Sequence, residues 1–133
     1  MLEARKGKEI QVDIPNAIGG LGELVKMISE QGIITLAVNC WADGDHAHFR
    51  LMTEDILGTM DLLTGAGYEP RIANVVVVEC DHRPGIVKHL TDRLTLHEIS
   101  ITHLYATATV DQDECLVVMS TSNNERAIIE LNW

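Results

Sequence analysis

The chain has 133 residues, 46% of them hydrophobic but only 4% aromatic, so its core must be built mainly from Val, Ile, Leu and Ala. A formal charge of −10 at pH 7 repels phosphate and argues against nucleic acid or an anionic membrane as partner. Three cysteines, widely spaced and without a CxxC pair, argue against a disulfide framework and a zinc site.

"ARKGK", Ala4 to Lys8, reads as a solvated tail. In "EIQVDIP", Ile10, Val12 and Ile14 alternate with polar residues, which is the period of a half-buried strand. "NAIGG" breaks it. "LGELVKMISEQG" then sets Leu21, Leu24, Val25 and Ile28 at helical spacing, with Gly32 as the stop. "IITLAVNCWA" and "HAHFRLMT" read as two strands joined at the hairpin signal "DGD", and "EDILGTMDLLTGAG" as a second helix.

The order then repeats. Counting 82 minus 16, or 66 residues on, His82 falls where Asn16 did, Cys80 meets Ile14, Gly85 meets Gly19, and Leu90 meets Leu24. The second hairpin is expected to be one residue longer, so that Met52 meets Met119. Such a shared register is the mark of an internal repeat. Each copy reads β-α-β-β-α with room for a closing strand, the α+β ferredoxin-like βαββαβ plan, with the two antiparallel sheets side by side. The expected domains are residues 1–72 and 73–133. The closing strand of the second is expected to be missing or to lie beyond Trp133.

The strand-to-helix turns carry the functional signal. In "CDHRPGIV", Pro84 suits a first helical turn and Gly85 permits close approach of a ligand to the backbone. The unpaired N–H groups of the helix start would hold a small carboxylate. In the first copy Asn16 is a good helix cap, and Gly19 and Gly20 serve the purpose of Gly85. Gly and Pro also suit any tight turn, and the recurrence of the glycine at one point of both copies favours the functional reading.

Strand, "HRPGIV" turn, helix and "HEISIT" strand entry in one copy, with "NAIGGL" and "QGIITL" in the other, resemble the ACT domain, over nearly the whole chain from about Glu9. The resemblance is to small stand-alone proteins of two tandem ACT domains. It implies a non-catalytic regulatory module that binds a free amino acid at the interface between two copies. The ammonium of such a zwitterion would need an acceptor such as Asp81, Asn39 or Ser100, with side-chain specificity from second-strand neighbours such as Val38, Asn39, Cys40, Leu104 and Tyr105. The residues implicated are Asn16, Ala17, Ile18, Gly19, Gly20 and Leu21 in one turn, and His82, Arg83, Pro84, Gly85, Ile86 and Val87 in the other. The pattern departs at His82, where the family has Asp, at the first turn, which lacks Pro, and at Ile34 and Ser100, where it has Asn. No cofactor is implied. A homodimer and a regulated protein partner are expected. With no signal peptide pattern and no apolar run approaching ~20 residues, the expected location is the cytoplasm. The alternative is an interaction scaffold that keeps the fold without a ligand.

Rival chemistries are poorly supported. His46 and His48, near Asp43 and Asp45, lack a third fixed metal ligand. Cys80 with His82 resembles a thiolate pair, yet Cys80 holds an inward strand position. The "GGLG" stretch lacks the spacing of a dinucleotide site, and the carboxylates at Glu54, Asp55, Asp111, Asp113 and Glu114 read as solvated caps and loops.

Overall fold

The computed structural model describes residues 2–108 and 113–133, without the side chain of Ala108. Residues 109–112, which include Asp111 and the tip of the second hairpin, lie outside the described residues. The elements run β1 (Leu2–Pro15), α1 (Gly20–Glu30), β2 (Thr35–Asp43), β3 (His46–Thr53), α2 (Ile56–Gly65), β4 (Arg71–Asp81), α3 (Ile86–Leu96), β5 (Ile101–Ala108), β6 (Glu114–Thr121) and α4 (Asn124–Leu131). The chain is α+β, two ferredoxin-like units in tandem. It divides into one unit of residues 8–73 and another of residues 1–7 with 74–133.

In the unit of residues 8–73, β3 lies between β2 and β1, antiparallel to both, and pairs Val12 with Phe49 and Cys40 with Phe49 from opposite sides. Alternation along these strands sends Ile10, Val12, Ala47, Phe49 and Leu51 to one face, where they bury Leu24 and Ile28 of α1 and Leu63 of α2. Burying one such leucine contributes about 1.5–3 kcal/mol. Asp55 caps α2 by accepting from the Gly58 N–H at 2.9 Å, a bond that typically contributes ~1 kcal/mol.

In the other unit β6 lies between β4 and β5, pairing Val78 with Val117 and Leu104 with Met119. Val76, Val78, Cys80, Val117 and Met119 pack on Leu90 and Leu94 of α3 and on Ala127 and Leu131 of α4. Asn123 caps α4 from the place Asp55 holds on α2, accepting from the Arg126 N–H at 3.0 Å.

The start of the chain corrects one expectation. Leu2 to Lys8 is not a solvated tail but part of β1. Ala4 is 4% exposed and belongs to the core of the second copy. The Asn132 side chain fixes it there, accepting from the Ala4 N–H and donating to the Ala4 carbonyl, each at 2.8 Å. Residues 2–7 thus lie beside β4, where a closing strand would run.

The repeat register also needs correcting. Ile10 pairs with Leu51, and its counterpart Val76 pairs with Met119. Leu51, not Met52, therefore meets Met119, a shift of 119 minus 51, or 68, so the second hairpin is longer by two residues. The two caps, Asp55 and Asn123, keep the same shift of 68. Sequence patterning matched the methionines because they share a type. Pairing across the sheet is stricter, since a slip of one residue turns every side chain to the wrong face.

Candidate functional site

The two strand-to-helix turns have one backbone. The Asn16 N–H donates to the Asp45 carbonyl at 2.7 Å, and the His82 N–H donates to the Asp113 carbonyl at 2.5 Å, so each turn begins tied to its own hairpin. A β-turn follows, closed by Gly20 N–H to Ala17 carbonyl at 3.2 Å and Ile86 N–H to Arg83 carbonyl at 3.3 Å. Gly19 (φ 82°, ψ 0°) and Gly85 (φ 83°, ψ 5°) hold the third position of the turn in the left-handed conformation. This is the type II turn, which calls for Gly there and favours Pro just before it.

Three expectations change. Pro84 occupies the second position of that turn rather than the first helical turn. Asn16 is not the helix cap: Gly19 is, with no side-chain cap bond. Gly20 does not duplicate Gly85. It is the first residue of α1 and is buried, and a Cβ on it would come 3.1 Å from Ile14 Cδ1. Its counterpart Ile86 carries a buried side chain over the smaller Cys80 and Val117. The two copies thus exchange volume: Gly, Ile and Phe in the first stand where Ile, Cys and Val stand in the second.

Under each turn lies a cleft bounded by the hairpin of the same copy. The cleft of the second copy has a volume of about 410 Å³ and is lined by His82, Arg83, Gly85 to Lys88, Ala106, Thr107 and Cys115. That of the first copy is about 190 Å³, lined by Asn16, Ala17, Gly19 to Gly22, Cys40 to Ala42, Ala47 and Phe49. Trp41 stands where Thr107 does and narrows the first cleft. The second cleft carries Arg83 and Lys88 at its rim, where the first has Ala17 and Gly22. At the head of α3 the N–H groups of Val87 and Lys88 have no carbonyl one helical turn back to receive them. The Lys88 ammonium is paired with Asp92 on the same helix, so the second cleft offers helix-start N–H donors, the Arg83 charge, and apolar walls from Ile86, Val87 and Ala106.

Of the residues singled out from the sequence, Asn16, Ala17, Gly19, Gly20, Leu21, His82, Arg83, Gly85, Ile86 and Val87 line the two clefts. Ile18 projects fully into solvent. Asn39 and Asp81 are half-buried on β2 and β4 and, by strand alternation, face away from Cys40 and Cys80. Ser100 lies before β5, with its N–H donating to Ser122 Oγ at 3.0 Å. It is separated from Ala106 by six residues of strand, or about 20 Å. The residues sequence reasoning missed, Trp41, Ala42, Ala47, Phe49, Lys88, Ala106, Thr107 and Cys115, come mostly from the hairpins, and their register with the turn was the signal needed.

His48 of the proposed metal pair is taken up by Asp13, with His48 Nδ1 2.7 Å from Asp13 Oδ1, while His46 is exposed. Among the described residues no group of three or more His, Cys, Asp or Glu is placed to hold a metal ion. No helix among them is long and apolar enough to cross a membrane.

Comparison with known proteins agrees with this architecture. The family model for an ACT domain pair matches residues 7–132. No curated protein is similar enough in sequence to count as a match. Among solved structures, protein BT0572 from Bacteroides thetaiotaomicron is similar at TM-score 0.89 and 22% identity, over 97% of this chain and 88% of that one. The regulatory subunit of aspartate kinase from Thermus thermophilus, in a ligand-free form, is similar at TM-score 0.65 and 13% identity, over 97% and 94%. That from Thermus flavus is similar at TM-score 0.63 and 14% identity, over 99% and 94%. At such identities these likenesses speak for the fold alone, but the family model spans nearly every residue, and the chain belongs to the family of ACT domain pairs.

Proposed function

We propose that this protein is a non-catalytic regulatory module that binds a free amino acid, chiefly in the cleft beneath the turn from His82 to Val87. The observation that carries this reading is the second cleft itself: about 410 Å³, headed by a left-handed glycine and flanked by Arg83 and Lys88. Small-molecule sites usually occupy about 300–1,000 Å³. The first cleft, at about 190 Å³, falls below that range. The ligand's carboxylate would sit on the N–H groups of Val87 and Lys88, where the helix dipole favours negative charge. The Thr107 hydroxyl and strand carbonyls would accept from its ammonium, and Ile86, Val87 and Ala106 would contact its side chain. Membership of the family of ACT domain pairs supports a regulatory role, and the regulatory subunits of aspartate kinase share the fold.

The test is a thermal-shift panel of the twenty amino acids at millimolar concentration. A ligand at a hundred times its dissociation constant adds ~2.7 kcal/mol and raises the midpoint by several degrees. A rise with one amino acid or a few related ones is expected. A second reading has its own observation. In the unit of residues 8–73, β2 is a sheet edge, and Ile34, Leu36 and Val38 form an exposed apolar row along it. Such an edge invites strand pairing with a second copy. A flat panel together with a dimer by light scattering would favour a protein-interaction scaffold.

A further inference from the structure

Cys80 on β4 and Cys115 on β6 are direct partners across the sheet. Both are free thiols, and their sulfurs lie 3.0 Å apart, nearer than apolar side-chain atoms normally pack at about 3.5–4.0 Å. Two residues along the ladder, the His82 N–H donates to the Asp113 carbonyl. Pair types alternate along an antiparallel ladder, so two steps on the Cys80–Cys115 pair is again of the hydrogen-bonded kind, with Cα atoms about 5.5 Å apart. A disulfide spans about 4.4–6.8 Å between Cα atoms, so this separation lies within its reach. The same two places in the first copy hold Ile14 and Ala47, an ordinary apolar pair. Only the copy with the larger cleft carries a pair of thiols facing each other across the sheet, and Cys115 lines that cleft.

We propose that Cys80 and Cys115 form a redox pair that closes to a disulfide in the floor of the second cleft when a hydroperoxide enters it. Cys115, 8% exposed, is the sulfur the oxidant reaches, and Cys80, 1% exposed, lies behind it. Burial, followed by the hydrogen bond with Cys115, pushes the Cys80 thiol up to about 12, so Cys80 is not the first to react. The Cys115 thiolate attacks one peroxide oxygen, and the O–O bond breaks. Cys115 becomes a sulfenic acid and the other oxygen leaves as water or an alcohol. The Cys80 sulfur then attacks the Cys115 sulfur. The S–S bond forms, the S–O bond breaks, and a second water leaves with the proton of Cys80. Two thiols are oxidised by two electrons and one peroxide is reduced. The sulfurs close from 3.0 Å to about 2.05 Å. This proposal does not depend on the cleft binding an amino acid.

The test uses the full chain with the exposed Cys40 changed to Ser, treated with hydrogen peroxide under native conditions. Intact mass should fall by two hydrogens, a tryptic cross-link should join residues 72–88 to 94–126, and dithiothreitol should reverse both. Adding Cys80→Ser should stop the reaction at a Cys115 sulfenic acid that dimedone traps. Oxygen adducts without the cross-link, or thiols that react only after unfolding, would overturn the proposal. The Cys40→Ser measurement decides the matter even if the double variant does not fold.

Discussion

The two turns make a controlled comparison within one chain. Their backbones agree to within a few degrees at the key glycine, and each starts from the same bond to its hairpin. Their clefts differ in volume by about a factor of two, and only the second carries Arg83 and Lys88. Besides the longer second hairpin, the clefts differ in side chains: Trp41 against Thr107, Gly22 against Lys88, and the exchanged trio of Gly20, Ile14 and Phe49 against Ile86, Cys80 and Val117. A repeat can keep the device that exposes a helix start and still fit one copy for a ligand while narrowing the other.

The sharpest way to break this comparison is to place the same lesion in both turns. A Cβ on Gly19 or on Gly85 would meet nothing within 4 Å, and both glycines have nearly the same positive φ. Gly19→Ala and Gly85→Ala should therefore cost the same strain, about 1–2 kcal/mol. Only Gly85→Ala should also lose the amino-acid thermal shift, worth ~2.7 kcal/mol at saturating ligand. Equal losses in the two variants would show that the clefts are equivalent.

The next effect concerns how the second copy is closed. Asn132→Ala would leave both the N–H and the carbonyl of buried Ala4 without their side-chain partner. Leaving buried backbone groups unpaired costs about 1–3 kcal/mol. Urea unfolding should show that loss, and hydrogen exchange should show faster exchange of the Ala4 amide. An unchanged midpoint would mean that Ala4 is held by its strand pairing alone.

Much of this was legible in the sequence. Period-two runs such as Ile10, Val12 and Ile14 marked the strands, and the recurrence of Gly19 as Gly85 located both turns. What stayed hidden depends on pairing between distant residues. The length of the second hairpin is fixed by which residue faces Val76 across the sheet, and no local pattern reports that. Ala4 looked exposed because Arg5, Lys6 and Lys8 surround it, yet alternation lets a strand bury one residue between charged neighbours. Ser100 and Asn39 suit an ammonium by residue type, but strand length and alternation place both outside the clefts.

A smaller test lies at the helix ends. Both α1 and α3 finish in the same motif: the Ile33 N–H donates to the Ile28 carbonyl at 3.3 Å, and the Ile99 N–H to the Leu94 carbonyl at 2.9 Å. The motif needs a left-handed residue, supplied by Gly32 at φ 74° and by Glu98 at φ 58°. Glu98→Gly should stabilise the second copy by up to about 1 kcal/mol, the relief of strain being partly offset by the freedom Gly gains on unfolding. Gly32→Glu should cost the first copy a similar amount. Loss of stability in Glu98→Gly would mean that the glutamate side chain contributes more than its backbone costs.

The smallest expected effect is acid sensitivity, and here each copy has its own clamp. In the first, Asp13 joins β1 to His48 of β3 at 2.7 Å and to Arg71 of β4 at 3.0 Å, and the His48 bond, then Arg71, holds its carboxyl below the usual 3.8. In the second, Glu130 of α4 meets Arg126 at 2.7 Å and His97 at 2.8 Å, and the Arg126 bond, then the charges of His97, Arg126 and Arg93, hold it below 4.5. A carboxyl whose folded pKa is depressed binds fewer protons folded than unfolded. Its stabilisation is fully present above the unfolded pKa and is lost as pH falls through the folded one. The loss should therefore set in just below 4.5 for Glu130 and just below 3.8 for Asp13. Glu130→Gln should flatten the upper part of the acid limb in a series of melting curves, and Asp13→Asn the lower part. Asp13 is more than a third exposed, so solvent and salt screen its pairs and its share should be slight. If Asp13→Asn leaves the limb unchanged while Glu130→Gln flattens it, the acid response belongs to the second copy alone, the copy that also carries the larger cleft.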